Sequence, residues 1–105
     1  MTLKQFDVFP NPSARTRLSR PYFVVLQSDQ LSQLSTRLVA PLVTPATIRY
    51  LERMMPEVTV EGRQYVVMPQ ELGPIVVKAI PAAIANLESE RYRLIAALDL
   101  VFTGV

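Results

Sequence analysis

The chain contains no cysteine and no histidine. There is therefore no disulfide, no thiolate or imidazole metal ligand, no Cys or His nucleophile and no Ser-His-Asp triad, which removes most of the chemistry open to a small enzyme. Paired carboxylates or a Ser-Lys arrangement would remain. With nine acids and two lysines, none of them in a recognisable spacing, a hydrolase or ribonuclease is the weakest reading. No cofactor and no metal is expected. Long apolar runs are also missing: Tyr22–Leu26 and Ile75–Ile80 have the length of strands, and polar residues interrupt the apolar C-terminal run. Met1–Gln5 lacks the basic and apolar segments of a signal peptide, so a cytoplasmic protein with no membrane partner is expected. A net charge of +2 is too weak a field for specific nucleic-acid binding.

What the sequence has is apolar content: 105 residues of which 50% are hydrophobic and 19% charged, enough to exclude disorder and to build one domain over 1–105. A chain this small would gain stability from a second copy of itself. Short extended segments dominate. Gln5–Phe9 reads as an opening strand stopped by Pro10-Asn11-Pro12-Ser13. Tyr22–Gln27, rich in aromatic and β-branched residues, reads as a buried strand. Leu38–Val43 reads as another, with Pro41 placing it at an edge or a bulge. Glu57–Glu61 alternates, and Glu61-Gly62 turns into Gln64–Met68 as the strongest hairpin signal. Gly73-Pro74 restarts the sheet at Ile75–Ile80. From about Leu87 to Phe102, Leu87, Leu94, Ile95, Leu98, Val101 and Phe102 recur at helical steps, with Glu88 and Glu90 at the start where the helix dipole favours acids. Ala46–Met55 suits either a helix or a strand. The expected class is α+β, mostly β: an antiparallel barrel or twisted sheet with one C-terminal helix.

Two features stand apart from the core pattern. Leu100, Val101, Phe102 and Val105 make the last residues apolar, either docked on the body or kept for contact with another molecule. Gly104 suits the left-handed stop of the preceding helix. Phe102 could equally anchor the helix in the core. Arg15, Arg17 and Arg20 cluster in a polar loop that is either solvated or able to meet an acidic partner. Met54, Met55 and Met68 suit gap-filling core positions. Ser28-Asp29 suits an ordinary turn with a side-chain to backbone hydrogen bond.

Gln5–Phe9, Gln27-Ser28-Asp29, Arg37–Leu42 and the ending Leu100–Val105 together resemble the CcdB family, the toxins of ccd toxin–antitoxin modules, over nearly the whole chain. The resemblance implies an SH3-like barrel, a homodimer, and a poison that binds the A subunit of DNA gyrase and traps it on cleaved DNA. It also implies a cognate antitoxin with a disordered acidic segment, for which Arg15, Arg17 and Arg20 are candidate contacts. Carried over residue by residue, the target-binding positions are Phe102, Thr103, Gly104 and Val105, with Asp99 and Ser28 in support. Phe102, Gly104 and Ser28 match the family, and Val105 replaces its Ile conservatively. Asp99 stands where the family has Asn, and Thr103 where it has Trp. The Thr103 departure implies an alternative: an interaction module or decoy with weak poisoning, or a related target such as topoisomerase IV.

Overall fold

The structure, a computed structural model, describes residues 3–47 and 51–104. Its strands are β1 (Asp7–Pro10), β2 (Tyr22–Val25), β3 (Thr36–Val43), β4 (Glu57–Val60), β5 (Arg63–Val67), β6 (Gly73–Val76) and β7 (Ala85–Asn86), followed by α1 (Arg91–Thr103). The sheet runs β4-β5-β3-β2-β1-β7, with β6 also on β3, and every pairing is antiparallel. It closes most of the way into a barrel with the helix at its C-terminal end, the class expected from the sequence.

The uninterrupted apolar strands follow from burial on both faces, because side chains alternate along a strand. Val8, Val24, Ala40, Leu42, Val58, Val60, Tyr65 and Val67 face one core, into which Leu94 of α1 packs. Their neighbours Phe9, Val25 and Val39 point the other way into a second cluster, and Val43 and Val66 join Met68 and Met55 in a third. Met68 and Met55 thus fill core positions as expected. The hairpin stands where the sequence placed it: Val60 pairs with Arg63, and Glu61 (φ 50°) and Gly62 (φ 81°) form the left-handed two-residue turn whose twist matches the strands. Nothing lies within 4 Å of a Cβ added at Gly62. Gly62→Ala is therefore expected to cost only backbone strain, about 1 kcal/mol, read as a lower midpoint in chemical denaturation.

Several boundaries depart from expectation for identifiable reasons. Gln5 and Phe6 lie outside the first strand. The Asp29 carboxylate accepts the Gln5 amide at 2.8 Å, Asp7 N–H turns back to the Lys4 carbonyl, and Phe6 adopts φ 71°. Pro41 is neither at an edge nor in a bulge, since β3 is central. It sits where β3 passes from β6 (register through Val39) to β5 (register from Leu42), and its carbonyl accepts from Met68 N–H at 3.0 Å. The strand at Ile75–Ile80 ends at Val76, because Val77–Ala79 winds into a 3-10 turn in which Ile80 N–H returns to the Val77 carbonyl. Of Ala46–Met55, residues 48–50 lie outside the described residues. Pro45–Thr47 is a 3-10 turn, and Met54 and Met55 both donate to the Leu51 carbonyl in a further turn, so the described part is neither helix nor strand.

The helix begins later than Leu87. Leu87 N–H is held by the Phe6 carbonyl, Asn86 Oδ1 accepts from Glu88 N–H at 2.7 Å, and Glu88–Glu90 forms a 3-10 turn before α1. At its far end Gly104 takes φ 74° and donates to the Leu100 carbonyl at 2.9 Å, the left-handed stop expected there.

Candidate functional site

The last turn of α1 carries most of the sequence-selected target residues. Leu94 and Ala97 turn inward and are buried, and Ile95 and Leu98 pack against the same core. The residues beyond them turn outward: Phe102 is 70% exposed, so it does not anchor the core. Thr103 and Asp99 are also exposed, and Thr103 Oγ1 donates to the Asp99 carbonyl at 2.6 Å, folding that side chain back along the helix. Gly104, with open space where a Cβ would stand, completes an apolar tip at which a facing surface can approach the backbone. Val105 lies outside the described residues.

Ser28 is placed elsewhere. Its Oγ accepts from Gln30 N–H at 3.1 Å and caps the 3-10 turn Asp29–Leu31, which is the turn role the sequence suggested. Asp29 binds the Gln5 amide, and the Gln5 side chain in turn accepts from Arg91 Nη1 at 3.4 Å. This chain of contacts ties Ser28 to the start of α1, about 16 Å of helix from Phe102 at 1.5 Å per residue. The structure therefore brings together Asp99, Phe102, Thr103 and Gly104, and leaves Ser28 with a different part of the fold.

The arginine loop is laced by hydrogen bonds. Asn11, buried, holds it from within, donating to Thr16 Oγ1 and the Arg20 carbonyl and accepting from Ser13 N–H. Arg20 makes a bidentate pair with Glu71 at 2.7 and 2.6 Å, and this hydrogen-bonded carboxylate raises the guanidinium's pKa above its ordinary value. Arg17 donates to the Asn11 and Pro12 carbonyls. Arg15 is exposed and has no partner among the described residues, and Leu18 in the same loop is fully exposed. Leu18 is a surface residue that sequence reasoning missed, because a lone Leu in a polar loop carries no periodic signal.

A second missed feature is a cleft of about 440 Å³ between α1 and the turn before β4, lined by Glu52, Arg53, Pro56, Arg93, Ala96, Asp99 and Leu100. Arg93 latches its walls together, donating to Glu90 at 2.6 Å and to the Glu57 carbonyl at 2.8 Å. Only the spacing of Arg93, Ala96 and Leu100 on one helix face could have hinted at it.

A profile of the CcdB protein family matches residues 5–104. The chain belongs to the CcdB family. It is thereby a toxin of a toxin–antitoxin module, from a family of poisons and not of catalysts. No curated protein matches the chain. Among the described residues no group of acids could hold a metal ion, and no helix is long and apolar enough to cross a membrane.

Proposed function

We propose that this CcdB protein acts in the cytoplasm as a gyrase poison, binding the A subunit of DNA gyrase through the end of α1 and trapping the enzyme on cleaved DNA. The observation that carries the reading is Phe102, a large ring held outside the core on the last turn of an ordered helix. An aromatic side chain has little rotamer freedom to lose, so a ring fixed in this way is a pre-organised anchor for an interface. Thr103, folded back on the Asp99 carbonyl, favours a second reading, a decoy that keeps its partners but poisons weakly, or a related target such as topoisomerase IV.

The protein works as a homodimer. The exposed Leu31, Leu34, Leu38 and Val76 support this, the last two lying on the same face of the β3–β6 ribbon, where a second copy would cover them. A cognate antitoxin with a disordered acidic segment neutralises it at the arginine loop. Arg15 and Leu18 are the groups free to meet that segment, since Arg20 is neutralised by Glu71 and Arg17 is tied to backbone carbonyls. Titration of the purified gyrase A subunit, with and without prior loading by the antitoxin, tests the scheme. Binding that the antitoxin blocks is expected; no binding at any concentration would move the target elsewhere.

A further inference from the structure

The cleft beside the tip has a composition of its own. Pro56, buried, forms its floor with Ala96 and Leu100, while Glu52 and Arg53 stand on the turn side and Asp99 on the helix side. Arg93 is satisfied by Glu90 and the Glu57 carbonyl. Among the described residues, no hydrogen bond or ion pair reaches the carboxylates of Glu52 and Asp99 or the guanidinium of Arg53. Arg53 shares the cleft with two carboxylates yet forms an ion pair within 4.0 Å with neither, and the cleft's volume of about 440 Å³ leaves space for a group between them. The free charge facing that space is acidic on balance, in a chain whose net charge is +2.

We propose that this cleft receives a basic side chain, Lys or Arg, carried on an apolar segment of the target protein. Charge complementarity selects the occupant. An alkyl stem would lie on Pro56, Ala96 and Leu100 while its cationic head meets Glu52 and Asp99 from the two walls. Arg53 then opposes binding and tunes it, a repulsive element that sharpens the choice of partner. Asp99 lies about one turn of α1 before Phe102, so the tip and the cleft form one continuous contact surface. The inference rests on the reading that the end of α1 meets a target protein.

Five chains test it: wild type, the double variant Glu52→Gln/Asp99→Ala, Arg53→Gln, Ala96→Trp, and Glu88→Gln as a charge control at the other end of α1. Each is titrated with purified gyrase A subunit and induced in cells to read growth arrest, with circular dichroism to confirm the fold. The double variant is expected to bind about tenfold more weakly at low salt, and Arg53→Gln about two- to threefold more tightly, with Glu88→Gln unchanged. Ala96→Trp, which fills the cleft without altering charge, is expected to weaken binding as well. Wild-type affinity in the double variant overturns the cleft and leaves the gyrase reading standing. Tighter binding by the double variant with weaker binding by Arg53→Gln assigns an acidic occupant and also overturns it. Should wild type fail to bind the A subunit, growth arrest lost only in the double variant keeps the cleft and rejects gyrase. Arrest that persists in the double variant, or no arrest in wild type, rejects both.

Discussion

Phe102→Ala is expected to abolish growth arrest while leaving the fold in place. The ring is exposed and contributes little to the core, whose α1 contacts are Leu94, Ala97, Ile95 and Leu98. Its removal should shift the melting temperature by no more than about 1–2 °C, as for other surface substitutions that leave packing untouched. At the centre of an interface the same change costs about 2–4 kcal/mol, roughly 30- to 1,000-fold in affinity. Isothermal titration with the gyrase A subunit and a thermal melt of the same protein separate the two effects. A large drop in melting temperature would return Phe102 to a structural role.

The largest effect on stability is expected at Phe6. Its ring is fully buried, its amide donates to Val25 and its carbonyl accepts from Leu87, so one residue joins β2 to the segment that leads into α1. The Arg91 guanidinium carbon sits 5.4 Å from the ring centroid, adding a cation–π contact across that junction. Phe6→Ala should lower the unfolding free energy by about 3–5 kcal/mol, a large share of the roughly 5–15 kcal/mol that holds a small domain folded. Backbone strain supplies a sharper comparison. At φ 71° an alanine remains strained while glycine does not, so Phe6→Gly is expected to be no worse than Phe6→Ala, the reverse of the usual order. Denaturant titration of the two variants reads this directly; a glycine variant less stable by 1 kcal/mol or more would mean that the positive φ costs nothing here.

The parts of the fold legible in the sequence are those governed by local chemistry. Glu61-Gly62 announced its turn because few residue pairs tolerate two left-handed positions, and Gly104 announced the helix stop for the same reason. The apolar content of Tyr22–Val25 marked a strand buried on both faces. Errors arose where distant segments decide. Phe6 leaves the strand conformation because Asp29, far along the chain, captures the amide before it. Pro41 is central because two different partners meet on either side of it. At the tip, Asp99, Phe102, Thr103 and Gly104 were legible through their place on one helix end and their resemblance to CcdB. The cleft was not, since Glu52 and Arg53 reach Asp99 only through the tertiary fold. The arginine cluster was legible as composition alone; that Glu71 removes Arg20 from it is a long-range fact.

The most direct test of the central claim is a DNA cleavage assay with purified gyrase and supercoiled plasmid, comparing wild type with Phe102→Ala. The wild-type chain is expected to accumulate linear, protein-linked DNA in proportion to its concentration, and Phe102→Ala to accumulate none at the same concentrations. Equal cleavage by both proteins, or no cleaved DNA with wild type at any concentration, would contradict the account.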